Sequence, residues 1–70
     1  MNILTQLGKR IRYLRRLKKW SQLDLALESD VNRNYISDLE KGRRNPSVKV
    51  LNRIVIALNI NLEILFKGIQ

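Results

Sequence analysis

The sequence predicts an all-α domain built from five short helices. Apolar residues recur every three or four positions, and no stretch alternates apolar and polar residues for long enough to indicate a sheet. Only one proline and three glycines interrupt the 70 residues. Because no linker, repeat or low-complexity segment divides the chain, we expect one domain over residues 1–70.

The first helix is predicted from about Ile3 to Lys19. Its apolar residues fall in one stripe at 100° per residue, with Leu17 at the edge, and basic residues cover the remaining surface. The stripe consists of Leu4, Leu7, Ile11 and Leu14.

The second helix is predicted to start at Ser21 and to end near Ser29. Ser21 and Asp24 have nearly the spacing and chemistry of a capping box, in which the hydroxyl accepts from an exposed backbone N–H group. The acid also suits the positive end of the helix. Leu25 and Ala26 are expected to face inward.

A tight turn over residues 30–32 leads into a third helix, predicted from Arg33 to about Lys41. Val31 is expected to plug the crossing of the two helices, and Asn32 is a suitable N-cap. Gly42 then ends the third helix as a C-terminal glycine does.

The two faces of this third helix differ in chemistry. Ile36 and Leu39, with Asn32 before them, are expected to point towards the core. The outward face is polar, with Arg33 and Tyr35 on its flanks. It consists of Asn34, Ser37, Asp38 and Lys41.

Such side chains fit the major groove of DNA. Arginine pairs with guanine O6 and N7, and asparagine with adenine N6 and N7. Any surface helix also has polar residues outside, so the pattern alone fits a merely solvated face equally well.

The basic loop 43–46 precedes the last two predicted helices. Ser47 caps the fourth helix, and Asn59 at its end tolerates a left-handed backbone. The apolar positions of the fourth helix are Val48, Leu51, Ile54, Val55 and Leu58. A short fifth helix is predicted from about Asn61 to Lys67, with Leu62, Leu65 and Phe66 closing the domain.

The charge balance is strongly basic. Fourteen Lys and Arg residues against six Asp and Glu give a net charge of +8 and a pI near 10.7. This excess favours nucleic acid as a partner first and an anionic membrane surface second. A small ribosomal-type protein, or a merely soluble basic one, is the plainer alternative.

The missing residue types exclude several functions. Without cysteine or histidine the chain has no disulfide, no usual zinc site and no cysteine or histidine catalysis. The six carboxylates are scattered singly, so we expect neither an enzyme nor a cofactor or metal site. No apolar run is long enough to span a membrane, and Lys9 and Arg10 interrupt the start where a secretory signal would be apolar. We therefore expect a cytoplasmic protein without a membrane partner.

Three segments resemble the Xre/Cro–repressor family, which includes phage repressors and the controller proteins of restriction–modification systems. They are residues 21–26, 31–42 and 44–47, and the resemblance extends from Leu7 to Phe66. It implies a compact five-helix, lambda-repressor-like helix-turn-helix domain that binds double-stranded DNA.

The resemblance also implies roles for individual residues. Base reading falls to Arg33, Asn34, Ser37 and Asp38. DNA backbone contacts fall to Gln22, Asn32, Tyr35, Lys41, Arg43, Arg44 and Asn45, with Tyr35 reaching either a phosphate or a thymine methyl. Arg15 and Glu40 are expected to form a structural ion pair that positions the recognition helix.

The chain departs from the family pattern at several positions. Asp30 replaces the usual turn glycine, and aspartate tolerates that backbone at some conformational cost. Asp38 places a negative charge on the reading face, where it either accepts from cytosine N4 or repels wrong sequences. Apolar residues stand where the family tends to be polar at Leu23, Leu27, Ile56 and Ile64.

The apolar departures near the C-terminal end indicate an interface between two copies of the chain. The candidates are Ile56, Ile60, Leu62 and Ile64. The alternative is that these side chains close the core of the monomer.

Three functions remain open on the sequence alone. The first is a homodimeric regulator on a pseudo-palindromic operator, with its recognition helix, about residues 33–41, in the major groove. The second is an antitoxin of the same fold whose main task is binding a toxin protein. The third is a membrane-surface peptide, because the first helix is basic and amphipathic, although the helix caps argue against it. No small-molecule ligand is indicated.

Overall fold

In the computed structural model, which describes residues 2–70, the chain forms five α-helices, and no strand occurs among these residues. The helices are α1 (Ile3–Leu17), α2 (Gln22–Ser29), α3 (Arg33–Glu40), α4 (Val48–Ala57) and α5 (Leu62–Leu65). The all-helical architecture predicted from the apolar spacing is confirmed.

A side-chain cap fixes the start of every helix. The capping residues are Asn2, Ser21, Asn32, Ser47 and Asn61. Ser21 and Asp24 form the complete capping box: the Asp24 N–H donates to Ser21 Oγ at 3.0 Å, and the Ser21 N–H donates to Asp24 Oδ2 at 2.8 Å. Each cap satisfies backbone N–H groups that the helix leaves unpaired and contributes about 1 kcal/mol.

Left-handed residues follow the first four helices and set their ends. Asp30 and Asn59 have φ values of 55° and 58°, as their residue types predict, and Gly42 has φ 74°. Lys19 also adopts φ 60°, so α1 ends at Leu17 and not at Lys19 as predicted. The reversal at Lys19 lets the Trp20 N–H donate to the Arg15 carbonyl at 3.3 Å.

The fifth helix is shorter than predicted. It spans Leu62–Leu65, with Phe66 as its C-cap, instead of reaching Lys67. Gly68 beyond it is left-handed, with φ 80°, and the Arg10 guanidinium of α1 donates to the Ile64 carbonyl at 2.9 Å and to the Leu65 carbonyl at 3.3 Å. A side chain that is distant in sequence thus donates to carbonyl groups at the end of this single helical turn.

The core lies where the five helices meet. α2 and α3 pack on each other, α1 lies against α3, α4 lies against α2, and α5 contacts both α1 and α4. Val31 is buried at the α2–α3 crossing, as expected. The largest fully buried side chains are Ile11, Leu25, Ile36, Leu39, Ile54 and Leu65.

Two side chains expected to face the core, Val48 and Asn32, are exposed, and so is Leu17 at the edge of its apolar stripe. Leu17 and Val48 are 62% and 71% exposed because each lies in an end turn, beyond the reach of the neighbouring helices. Asn32 is exposed because its carboxamide oxygen caps α3, accepting from the Asn34 N–H at 2.8 Å and the Tyr35 N–H at 3.3 Å. A capping side chain must turn back over the helix end, so it cannot also fill the core.

Gly8 permits the closest approach between α1 and α3. A Cβ atom at this position would lie 2.4 Å from the Leu39 carbonyl oxygen and 2.7 Å from the Glu40 carbonyl oxygen. Both atoms belong to the backbone of α3 and its last turn, so neither can move aside without shifting the helix.

We expect Gly8→Ala to lower the free energy of unfolding by roughly 1 kcal/mol, the net of an overpacked contact that costs roughly 2 kcal/mol and a gain in helix propensity. That strain exceeds the ~1 kcal/mol by which alanine favours a helix over glycine. Urea unfolding followed by circular dichroism measures the difference. Lys9→Ala, an exposed neighbour, is the control and should change stability by less than about 0.5 kcal/mol. An unchanged or raised stability for Gly8→Ala would contradict the packing described here.

Candidate nucleic-acid interface

The turn between α2 and α3 determines how α3 projects from the domain. Asp30 takes the left-handed conformation, and the next N–H, that of Val31, donates to the Ala26 carbonyl at 3.1 Å. Val31 then turns into the core, and Asn32 caps α3 immediately. Because the connection has only three residues, α3 begins directly after the turn, and the first residues of α3 are exposed.

The outer face of α3 carries polar side chains, and the inner face of the same helix is apolar. Ile36 and Leu39 are completely buried behind it. Of the four residues predicted to read bases, Arg33 and Asn34 are exposed, whereas Ser37 and Asp38 are half-buried. Together these side chains offer both hydrogen-bond donors and acceptors to a ligand in front of α3.

A buried ion pair fixes α3 against α1. Arg15 Nε donates to Glu40 Oε2 at 2.7 Å and Arg15 Nη2 donates to Glu40 Oε1 at 2.9 Å, while Nη1 donates to the Trp20 carbonyl at 2.6 Å. Arg15 and Glu40 are only 7% and 8% exposed. The hydrogen bond to Glu40 raises the pKa of Arg15; burial opposes this rise, and the charge of Glu40 adds to it. The paired arrangement that the resemblance implied is therefore present in the structure.

Gln22, at the start of α2, belongs to the same network. Its Nε2 donates one N–H to Glu40 Oε1 at 3.2 Å, and the side chain is half-buried. An amide nitrogen carries two N–H groups, so this bond to Glu40 uses one of the two. No local pattern predicts the contact with Glu40, because the two residues are 18 positions apart.

The polar residues that follow α3 are exposed: Lys41, Arg43, Arg44 and Asn45. Arg44 turns back onto α3: its Nε lies 3.6 Å from Asp38 Oδ2, and its guanidinium carbon lies 4.8 Å from the centre of the Tyr35 ring. The structure therefore brings a predicted backbone contact together with a predicted base reader. No pattern in the sequence predicts this pairing.

The predicted dimer surface is split between exposed and packed side chains. Ile56 and Ile64 are 68% and 42% exposed. Ile60 and Leu62, in contrast, are half-buried against the core of their own chain. A second set of exposed apolar residues, Leu23 and Leu27, lies on α2 with 50% and 72% exposure.

Two further observations concern metal-binding groups and membrane-spanning helices. Among residues 2–70 no group of carboxylates is arranged to hold a metal ion. None of the helices in this range has both the length and the hydropathy to cross a membrane.

Comparison with known proteins identifies the family. A helix-turn-helix family profile matches residues 11–65, which is most of the chain. This chain belongs to the helix-turn-helix family of Xre/Cro type. The match includes α2, the turn, α3 and the basic loop, so the resemblance stated from the sequence is confirmed.

Two relatives and one solved structure are similar to this helix-turn-helix protein in sequence or in fold. It is 42% identical over 60 residues to the control protein C.BamHI of Bacillus amyloliquefaciens, covering 84% of this chain and 74% of the relative. It is 40% identical over 60 residues to the ImmF control region 10 kDa protein of Bacillus phage phi105, covering 86% and 67% respectively. The restriction–modification controller protein C.Esp1396I, solved as a tetramer with its 35-base-pair operator, superposes with a TM-score of 0.87 at 31% identity, covering 96% of this chain and 88% of that one.

We expect Arg15→Ala to lower the free energy of unfolding by roughly 3 kcal/mol, because it leaves the Glu40 carboxylate buried without its cation. Arg15→Lys should recover only part of this loss, since an ammonium group cannot reproduce the paired bonds. Thermal and urea unfolding measure both variants, with the exposed Arg16→Ala as the control.

The sign of the pH dependence follows from the raised pKa of Arg15. A cation whose pKa is higher in the folded protein stabilises it fully below the pKa of the unfolded chain. The stabilisation through Arg15 is therefore complete at neutral pH and is lost only above the ordinary pKa of arginine. If Arg15→Ala were as stable as Arg16→Ala at neutral pH, the assigned role of the pair would be wrong.

Proposed function

We propose that this chain is a sequence-specific DNA-binding transcriptional regulator that acts as a homodimer on a pseudo-palindromic operator. The observation that carries the proposal is the exposed polar face of α3, held at a fixed angle by the buried Arg15–Glu40 pair. A solvated helix face does not need a buried, hydrogen-bonded charge behind it, and such a pair is a weak source of stability in itself. A role of the Arg15–Glu40 pair in positioning α3 explains the pair better than a contribution to stability does.

The exposed end of α3 is suited to direct readout of bases. Arg33 and Asn34 are the most accessible side chains of its first turn, and arginine and asparagine pair with guanine and adenine in the major groove. Ser37 and Asp38 lie one turn further along the same face. Each well-formed bidentate contact contributes about 1–3 kcal/mol of discrimination.

The flanks of α3 are suited to the phosphate backbone. Gln22 lies at the start of α2, where one N–H remains available after its bond to Glu40. At the other end, Lys41, Arg43 and Asn45 are exposed around the C-terminus of α3. Contacts at both ends would set the register of α3 in the groove without reading bases themselves.

Dimerisation rests on the exposed Ile56 and Ile64. A two-fold pair of chains places two copies of α3 in successive major grooves, about 34 Å apart. Ile60 and Leu62 contribute less to this surface, because they already pack on their own core. The relatives support a regulator, as two of them are control-region or controller proteins and a third is solved on operator DNA. They give no support to the antitoxin alternative.

Selection from random duplexes, followed by binding to the winner and to a scrambled duplex across a salt series, tests the proposal. An inverted, paired consensus that binds about 10³-fold or more tightly than the scramble is expected for specific dimeric readout. Equal affinity for both duplexes, lost together as salt rises, would show counterion release alone and would reject the proposal.

We expect the α3 variants to separate base reading from backbone binding. Arg33→Ala and Asn34→Ala should lose operator affinity by roughly 10- to 100-fold and scrambled affinity much less, because they remove base contacts. Arg43→Ala should weaken both duplexes by a similar factor and reduce the salt slope by about one. Fluorescence anisotropy measures all three. Similar losses on both duplexes for every variant would remove the distinction between these roles.

We expect Ile56→Glu to weaken self-association, because it places a charge in the proposed apolar contact. Sedimentation velocity should show a dimer dissociation constant raised by roughly tenfold, the equivalent of ~1.4 kcal/mol. Leu27→Glu is the matched control: Leu27 is 72% exposed, close to the 68% of Ile56, but lies on α2. If Leu27→Glu dissociates the dimer and Ile56→Glu does not, the interface lies on α2 instead.

A further inference from the structure

Arg44 is held on the reading face of α3 by two side chains of that helix. Its Nε lies 3.6 Å from Asp38 Oδ2, and its guanidinium carbon lies 4.8 Å from the centre of the Tyr35 ring. A carboxylate and an aromatic ring both attract a guanidinium. Arg44 is therefore partly engaged before any ligand arrives.

The backbone of the loop brings Arg44 back to this position. Gly42 takes φ 74°, its N–H donates to the Leu39 carbonyl at 3.1 Å, and the Arg43 N–H donates to the Asp38 carbonyl at 2.9 Å. These bonds close the loop over the last turn of α3. The proximity of Arg44 to Asp38 is thus set by the main chain and not by the ion pair alone.

The pair is loose enough to exchange partners. Its separation of 3.6 Å exceeds the 2.7–2.9 Å of a tight charge-assisted hydrogen bond. The side chains of Arg44 and Asp38 are 50% and 37% exposed, so water and ions reach both. An exposed pair of this kind contributes little energy and is readily replaced.

The chemistry of the groove determines what can replace Arg44 at Asp38. An ionised carboxylate only accepts hydrogen bonds. In the major groove the amino groups of cytosine and adenine donate, whereas guanine O6, thymine O4 and the purine N7 atoms accept. A base amino group can therefore substitute for Arg44, but an acceptor opposite Asp38 leaves Arg44 where it is.

We propose that Asp38 makes the phosphate contact of Arg44 conditional on the DNA sequence. On DNA that presents an acceptor, Asp38 keeps Arg44 and lowers its contribution to backbone binding. On the operator, a base amino group takes over Asp38 and frees Arg44 for a phosphate. Asp38 is thus a specificity-determining residue that acts partly through Arg44. The inference rests on the proposed function, because it assigns roles within the same interface.

A double-mutant cycle on two duplexes tests this coupling. Asp38→Asn, Arg44→Gln and the double variant are measured against the selected operator and the scrambled duplex. Asp38→Asn should raise affinity for the scrambled duplex by about two- to fivefold, the range that an exposed ion pair contributes. It should steepen the salt slope on that duplex by about one, the effect of one added phosphate contact. Affinity for the operator should stay the same or fall.

The second arm of the cycle separates coupling from a general charge effect. In the Arg44→Gln background, Asp38→Asn should change affinity for the scrambled duplex by less than about twofold, because no cation is left to release. Glu28→Gln removes an equal charge from an exposed position on α2 and should likewise have little effect. Unchanged unfolding curves establish that the variants remain folded.

Two results would overturn the inference. The first is an equal rise in affinity for both duplexes on Asp38→Asn, and the second is a rise in affinity for the scrambled duplex that persists in the Arg44→Gln background. The failure of the proposed function would look different, since the wild-type protein would then show no sequence preference. The cycle on the scrambled duplex would still decide whether Asp38 restrains Arg44.

Discussion

Two close contacts between α1 and α3 position the reading face: the approach at Gly8 and the Arg15–Glu40 ion pair. Gly8 lets the backbone of α3 approach to a distance that no larger residue allows, with a Cβ there only 2.4 Å from the Leu39 carbonyl oxygen. Further along α1, Arg15 donates to both carboxylate oxygens of Glu40 and to the carbonyl of Trp20. The first contact sets the separation of the two helices, and the second sets their rotation. Both contacts act together with the buried Ile36 and Leu39, which anchor the inner face of α3 in the core.

The basic charge of the chain and its specificity come from different parts of the structure. Only Arg15 and Arg44 form ion pairs with acidic side chains within residues 2–70, so most of the net charge of +8 faces outward. Such a field attracts any polyanion and does so less at high salt. Discrimination has to come from short, oriented groups, and these are concentrated on α3. The proposed regulator thus combines a general attraction with a small reading surface.

The sequence predicted helix starts better than helix ends. The starts depend on local side-chain caps such as Ser21 and Asn32, which a sequence displays directly. The ends of α2, α3 and α4 also follow from local residues, at Asp30, Gly42 and Asn59, whereas the predicted ends of α1 and α5 were wrong. The left-handed Lys19 was not predictable, because lysine has no preference for that conformation.

The candidate site shows the same division. The outer face of α3 followed from helical periodicity, and the Arg15–Glu40 pair followed from the family resemblance. The contact of Arg44 with Asp38 and Tyr35 did not, since it arises from the return of the loop after Gly42. The apolar residues near the C-terminal end led to Ile60 and Leu62 being predicted as interface residues, and the structure shows both half-buried against the core of their own chain.

Backbone amide NMR shifts during titration with the selected operator test the central claim most directly, which is that α3 and its following loop form the DNA-binding surface. The largest changes are predicted at residues 33–38 and 43–45, while the exposed basic residues Lys9, Arg12 and Arg16 of α1 change little. Large changes along α1 with α3 unaffected would contradict the account, because the DNA would then be bound by charge on a face that reads no sequence.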